Sequence, residues 1–181
     1  IEKNADDTNA LFNRALLYHN LKDYEKSVKD FDKIIQINPF ETNSYSARAD
    51  DFRHLKKYTD AIKDLNRVIE LKDQSVWAYN ARGWNYMQLG KYKNAIPDFS
   101  RAININDNDI DAYLNRSEAF DCLKDYNNEI KDLNKILDID PNNSKAYTLL
   151  GDAQAQLKRY DSAIENYTQS INLLPINPDA Y

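Results

Sequence analysis

A chain of 181 residues with 42% apolar and 29% charged side chains is neither disordered nor fibrous and can bury one continuous core. A net charge of -5 and a pI near 5.1 argue against nucleic acid or an anionic membrane as the main partner, because phosphate recognition needs concentrated positive charge. The single cysteine, Cys122, excludes an internal disulfide and fits an intracellular, cytoplasmic setting, and no apolar run is long enough for a membrane span or a signal segment.

From one end of the chain to the other a unit of 34 residues recurs without insertion. Ile1 takes the place held later by Ile35, Ile69, Ile103, Leu137 and Ile171, so residues 1–7 are expected to be the tail of a preceding unit. Five units follow, 8–41, 42–75, 76–109, 110–143 and 144–177, marked by Tyr24, Tyr58, Tyr92, Tyr126 and Tyr160 at one constant place. Ala180 and Tyr181 match Ala146 and Tyr147 in register, so 178–181 are expected to begin a sixth, truncated unit. The expectation is one continuous array cut from a longer protein, because a repeat of this length buries its apolar face only against its neighbours.

Counting from the first residue of each unit, places 4, 8 and 11 form one helical stripe, Tyr79, Gly83 and Tyr86 in the third unit. Places 20, 21, 24, 27 and 28 form a second, Ala95, Ile96, Phe99, Ala102 and Ile103. Two helices per unit result, joined by a short turn at Lys22, Lys56, Gly90, Lys124 and Lys158, where a cation suits the preceding helix C-terminus. The second helix ends near Pro39 and Pro141, or near Asp73 and Asp107. With those closing prolines, the spacing of Tyr79, Gly83, Tyr86, Ala95, Phe99 and Ala102 resembles the tetratricopeptide repeat family over essentially the whole chain. The resemblance implies an all-α, right-handed superhelical solenoid of antiparallel helix pairs. It also implies close helix approach at place 8, which is always small: Ala15, Ala49, Gly83, Ser117 and Gly151.

Two residues depart from the pattern. Glu129 stands where other units have Ser27, Ala61, Ala95 and Ala163, and a charged group at a close helix contact needs a partner, for which Arg116 is the expectation. Pro97 falls inside a second helix and predicts a local kink.

Arg14, Arg48, Arg82 and Arg116 recur at place 7, and Asp30, Asp64, Asp98 and Asp132 at place 23. In the fifth unit both change together, to Leu149 and Asn166, which predicts structural Arg-Asp pairs bracing the two helices. Most of the thirteen tyrosines are absorbed by repeat places 4, 11 and 17. On the second helices Lys29 and Lys33, Lys63 and Arg67, and Lys131 and Lys135 form a basic stripe read as a solvated face.

The resemblance further implies an inner groove lined by places 2, 5, 9, 12 and 13 of the first helices. The first unit contributes Phe12 and Leu16, and the second Asp50 and Arg53. The third contributes Trp77, Asn80, Trp84, Met87 and Gln88, with both tryptophans on one face two helical turns apart. The fourth contributes Asp111, Leu114, Glu118 and Asp121. Such a surface suits a protein segment with bulky apolar and basic side chains. Family members that capture a C-terminal carboxylate use Lys at place 5 and Asn at place 9, whereas place 5 here reads Phe12, Ser46, Asn80, Leu114 and Thr148. Place 9 reads Leu16, Asp50, Trp84, Glu118 and Asp152, so the clamp is absent and chaperone tails are disfavoured as ligands.

No metal is expected, because His19 and His54 are the only histidines and Cys122 lies two units away. No glycine-rich phosphate loop, nucleophile elbow or zinc-spaced cluster is present, so neither cofactor nor catalysis is expected. The sequence therefore reads as an interaction scaffold. Its rivals are a structural spacer that self-associates end to end and a regulatory arm of an enzyme encoded elsewhere.

Overall fold

The computed structural model describes residues 7–173, which form ten α-helices and no strand. The expected tail of a preceding unit and the start of a sixth lie outside the described residues, apart from Asp7. Among the described residues no helix is long and apolar enough to cross a membrane. The chain divides into two compact units, Ile1–Lys91 and Tyr92–Tyr181.

In the first, α1 (Thr8–Asn20), α2 (Tyr24–Ile37), α3 (Thr42–His54), α4 (Tyr58–Leu71) and α5 (Val76–Gln88) pack each against the next. In the second, α6 (Tyr92–Ile105), α7 (Ile110–Cys122), α8 (Tyr126–Ile139), α9 (Ser144–Gln156) and α10 (Tyr160–Leu173) do the same. The result is the all-α solenoid of a tetratricopeptide array. Helix α6 runs unbroken through Pro97.

Local chemistry sets the helix ends. Asp7, Ser75, Asp109 and Asn143 each accept a backbone N–H of the first turn, satisfying donors that have no intrahelical partner. At the other end Lys22, Lys56, Gly90, Lys124 and Lys158 all adopt a left-handed conformation, with φ between 57° and 68°. Each closes the preceding helix with a paired backbone motif, as where Lys22 N–H meets His19 C=O at 2.8 Å and Asp23 N–H meets Tyr18 C=O at 2.9 Å. The turn thus needs a left-handed backbone, and Gly90, the one residue there without a cation, adopts it without a Cβ penalty.

In the first unit the core gathers Leu11, Ala15, Phe31 and Ile34, then Tyr45, Ala49, Ala61, Leu65, Val68 and Ala78. In the second, Phe99, Leu133 and Ile136 are fully buried. Gly151 shows why place 8 stays small: a Cβ there would lie 2.5 Å from the Tyr167 ring, the one tyrosine among the residues at place 24. Gly151→Ala is expected to destabilise the second unit by about 1–2 kcal/mol, overpacking outweighing the gain in helix propensity. Adding Tyr167→Leu makes room for the methyl, and denaturation curves of the two variants check whether it restores stability; no recovery would sink the steric account.

The arginine ladder reaches further than a helix pair. Arg48 donates to both oxygens of Asp64 at 2.8 and 2.6 Å, and backward to Asp32, joining α2, α3 and α4. Arg116 likewise grips Asp132 at 2.8 and 2.6 Å and reaches back to Ser100 Oγ at 2.9 Å. Arg14 meets Asp30 at 2.7 Å, and Arg82 reaches back to Asn66 at 2.8 Å. Asp98, the fourth place-23 carboxylate, is buried. The guanidinium planes of Arg48, Arg82 and Arg116 also lie over Tyr45, Tyr79 and Tyr113 one helical turn earlier, at 5.6 to 5.7 Å.

Candidate functional site

In the first unit the two tryptophans of α5 sit differently. Trp77 is 48% exposed. Trp84 is half-buried, with the Tyr58 ring edge-on at 6.0 Å and the Arg53 guanidinium over its face at 5.6 Å. Asn80 is half-buried and Gln88 exposed. Met87, expected to line the groove, is only 9% exposed: its unbranched, flexible side chain fills a gap in the packing and offers little to a ligand. On α1, Phe12 turns inward against the edge of Phe31 at 5.6 Å, while Leu16 is 39% exposed.

Folding gathers a polar cluster that counting ligands along the chain did not anticipate. Ligand atoms of His19, Asp50 and His54 all lie within 4.8 Å of one another. His19 Nδ1 is 2.7 Å from the carboxylate of Asp51, a fully buried residue, and its Nε2 faces Asp50 Oδ2 at 3.8 Å. Burial pushes the Asp51 carboxyl above its ordinary range, opposed by Ser27 and His19. Tyr24 stacks on His54 at 4.5 Å.

The expectation of no metal rested on two isolated histidines, and Asp50 supplies a third ligand. An internal cation already stands there, however. Arg53 contacts Asp50 Oδ1 at 2.7 Å and His54 Nε2 at 2.9 Å, engaging the His54 lone pair a metal would need and leaving Asp50 Oδ2 toward the two histidines. Asp50 and Arg53, read as separate groove charges, therefore neutralise each other on one helix face. Asp51 was missed by the sequence reading. At the same repeat place Asn85, Ala119 and Ala153 are also buried, whereas Leu17 is 62% exposed.

In the second unit Leu114, Glu118 and Asp121 share one face of α7, and Lys145, Leu149 and Asp152 share one face of α9. Between them opens a cavity of about 420 Å³ that these residues line together with Asp111 and Glu129. Glu129 comes from α8 and is 4% exposed, and its Oε2 has no hydrogen-bond partner. The Arg116 expected for it is committed to Asp132 and Ser100 instead. Burial, reinforced by the charges of Asp121 and Asp152, pushes the Glu129 carboxyl up to about 7. Tyr167 donates its hydroxyl to Asp152 at 2.7 Å.

The basic stripe on the second helices is partly neutralised in place. Lys63 meets Asp60 at 2.8 Å, Arg67 meets Glu70 at 3.0 Å and Lys135 meets Asp138 at 3.2 Å.

Comparison with known proteins agrees with this architecture. Family models described as tetratricopeptide repeat match residues 8–40, 76–109, 110–143 and 133–165. No curated protein sequence matches the chain. Among solved structures, a MamA protein is 20% identical with a TM-score of 0.88, covering 92% of this chain and 91% of its own. MamA 41-end from Desulfovibrio magneticus RS-1 is 18% identical with a TM-score of 0.85, over 92% of this chain and 94% of that one. YrrB, described as a TPR protein with an unusual peptide-binding site, is 19% identical with a TM-score of 0.82, over 98% of this chain and 91% of its own. With the repeat models matching most of its length and the same solenoid in each of these structures, the chain belongs to the tetratricopeptide repeat family.

Proposed function

We propose that this chain is a non-catalytic scaffold that grips an extended or helical segment of another protein on the faces of its first helices. One observation carries the reading: Trp77 stands half-exposed two turns from Trp84 on the same helix, with Trp84 braced by Arg53 and Tyr58. A large apolar side chain held rigidly at a surface loses little entropy when a ligand covers it, which is why tryptophans dominate binding hot spots. The peptide-binding site named in the description of YrrB is a precedent in the same fold. The acidic cavity of the second unit favours ligands that add lysine or arginine to an apolar anchor.

A peptide-library selection tests this on the intact chain and on a Trp77→Ala/Trp84→Ala variant shown by circular dichroism to be folded. The expected result is a shared apolar-plus-basic motif that loses at least about tenfold in affinity with the double variant. Selected peptides that ignore both substitutions would overturn the tryptophan face as the working surface.

A second reading, end-to-end self-association, is favoured by one feature. On α10, Tyr160, Ile164 and Ile171 are 60%, 63% and 67% exposed along one helical stripe. Concentration-dependent sedimentation that is unaffected by the tryptophan substitutions would support it.

A further inference from the structure

We propose that the cavity enclosed by α7, α8 and α9 is a receptor for one basic side chain, a lysine or arginine of the bound protein segment, with the Glu129 carboxylate as its buried acceptor. The proposal deepens the scaffold reading and rests on it. Its ground is the one residue that breaks the repeat at place 20. Where Ala61, Ala95 and Ala163 let two helices touch, Glu129 extends a carboxyl group into an open cavity instead. No side chain of the protein satisfies Glu129 Oε2, although the group is almost wholly removed from solvent. Leaving a buried acceptor unpaired is costly, and a ligand that supplies the donor recovers that cost.

The walls identify the donor. Asp111, Glu118 and Asp121 from α7 and Asp152 from α9 line the cavity, against the single cation Lys145. Lys145 makes no ion pair among the described residues. Leu114 and Leu149 supply apolar surface for an aliphatic stem, so the site has a charged end and a greasy shaft, matching lysine or arginine. A metal ion fits less well. The only set of three ligand atoms within 4.8 Å among the described residues is the histidine cluster of the other unit.

Ionised Glu129 is the binding form, so cation binding releases its proton to water. The neighbouring carboxylates and burial that hold its carboxyl up to about 7 then make binding strengthen as pH rises through neutrality.

The test uses small probes, so it does not depend on finding the natural partner. Acetyl-lysine methylamide and acetyl-arginine methylamide are titrated into the isotope-labelled chain at about pH 8, with acetyl-norleucine methylamide as the uncharged control. The expected result is saturable shifts of α7, α8 and α9 amides for the basic probes and not for norleucine. Affinity falls about tenfold or more in Glu129→Gln, the loss usual for a charge-assisted hydrogen bond, and weakens toward about pH 5 in the parent only. Glu129→Ala, the residue three other units carry at this place, gives the same loss in a background certain to suit the fold. Equal shifts from norleucine, equal shifts from magnesium chloride at matched ionic strength, or parental affinity in both variants would overturn the proposal. If the tryptophan face selects peptides yet these probes do not bind, the cavity proposal alone has failed. If the probes bind and no peptide depends on the tryptophans, the wider reading has failed.

Discussion

Arg48→Met is expected to destabilise the first unit by about 3 kcal/mol or more, the cost of leaving a buried carboxylate without its cation. Asp64 is 4% exposed, and Arg48 is the donor to both of its oxygens. The loss should exceed that of the matching Arg14 substitution, because the Arg14 side chain is 53% exposed and water can replace it around Asp30. It should also depend on pH with a definite sign. Burial already raises the Asp64 carboxyl above its ordinary value despite Arg48, and removing Arg48 raises it further. A carboxyl whose folded pKa exceeds its unfolded value costs stability as pH rises through that window, so the deficit is greatest at neutral pH and shrinks in acid. Adding Asp64→Leu removes the stranded charge and is expected to recover most of the loss, since apolar replacement of a buried ion pair is often neutral or better. Urea denaturation of the parent and the two variants at about pH 4 and pH 7 measures all of this. An Arg48→Met variant as stable as the parent at pH 7 would show that the pair contributes little.

The same residues show how far the sequence alone carries. The solenoid and its helix pairs are legible because the places that make them, such as Tyr58 and Tyr126 at helix starts, recur in identical register. The forward partners of Arg14, Arg48 and Arg116 are legible because the fifth unit changes both members together. The backward partner is not, since place 25 reads Asp32, Asn66 and Ser100, three side chains whose common property is an oxygen able to accept a hydrogen bond. The histidine cluster was illegible for another reason. His19 sits at place 12 and His54 at place 13 of neighbouring units, and only the packing of α1, α2 and α3 brings them to Asp50. At the tryptophans, exposure separates Trp77 from Met87, although the repeat assigns both to the same lining.

Glu129 is where the repeat flagged an anomaly and named the wrong answer, and it carries the second large effect. Arg116 is the partner expected from the sequence, but its donors are taken by Asp132 and Ser100. The unfolded chain holds the Glu129 proton only up to its ordinary value of 4.5, whereas the folded chain holds it up to about 7. Between those limits the folded state binds the extra proton, so stability falls as pH rises across the window and stays reduced above it. At 1.36 kcal/mol per unit the full difference is about 3 kcal/mol, and water entering the open cavity places the expected effect nearer 2 kcal/mol. Glu129→Ala abolishes the slope. The variant and the parent should therefore diverge from about pH 4.5 upward, with the variant gaining most at pH 8 relative to its own value at pH 4. Because repeat arrays open in parts, hydrogen exchange of α8 amides is the appropriate readout. Parallel pH profiles for the two proteins would mean that Glu129 is ionised in the folded chain at acid pH, and that the cavity solvates it better than its burial implies.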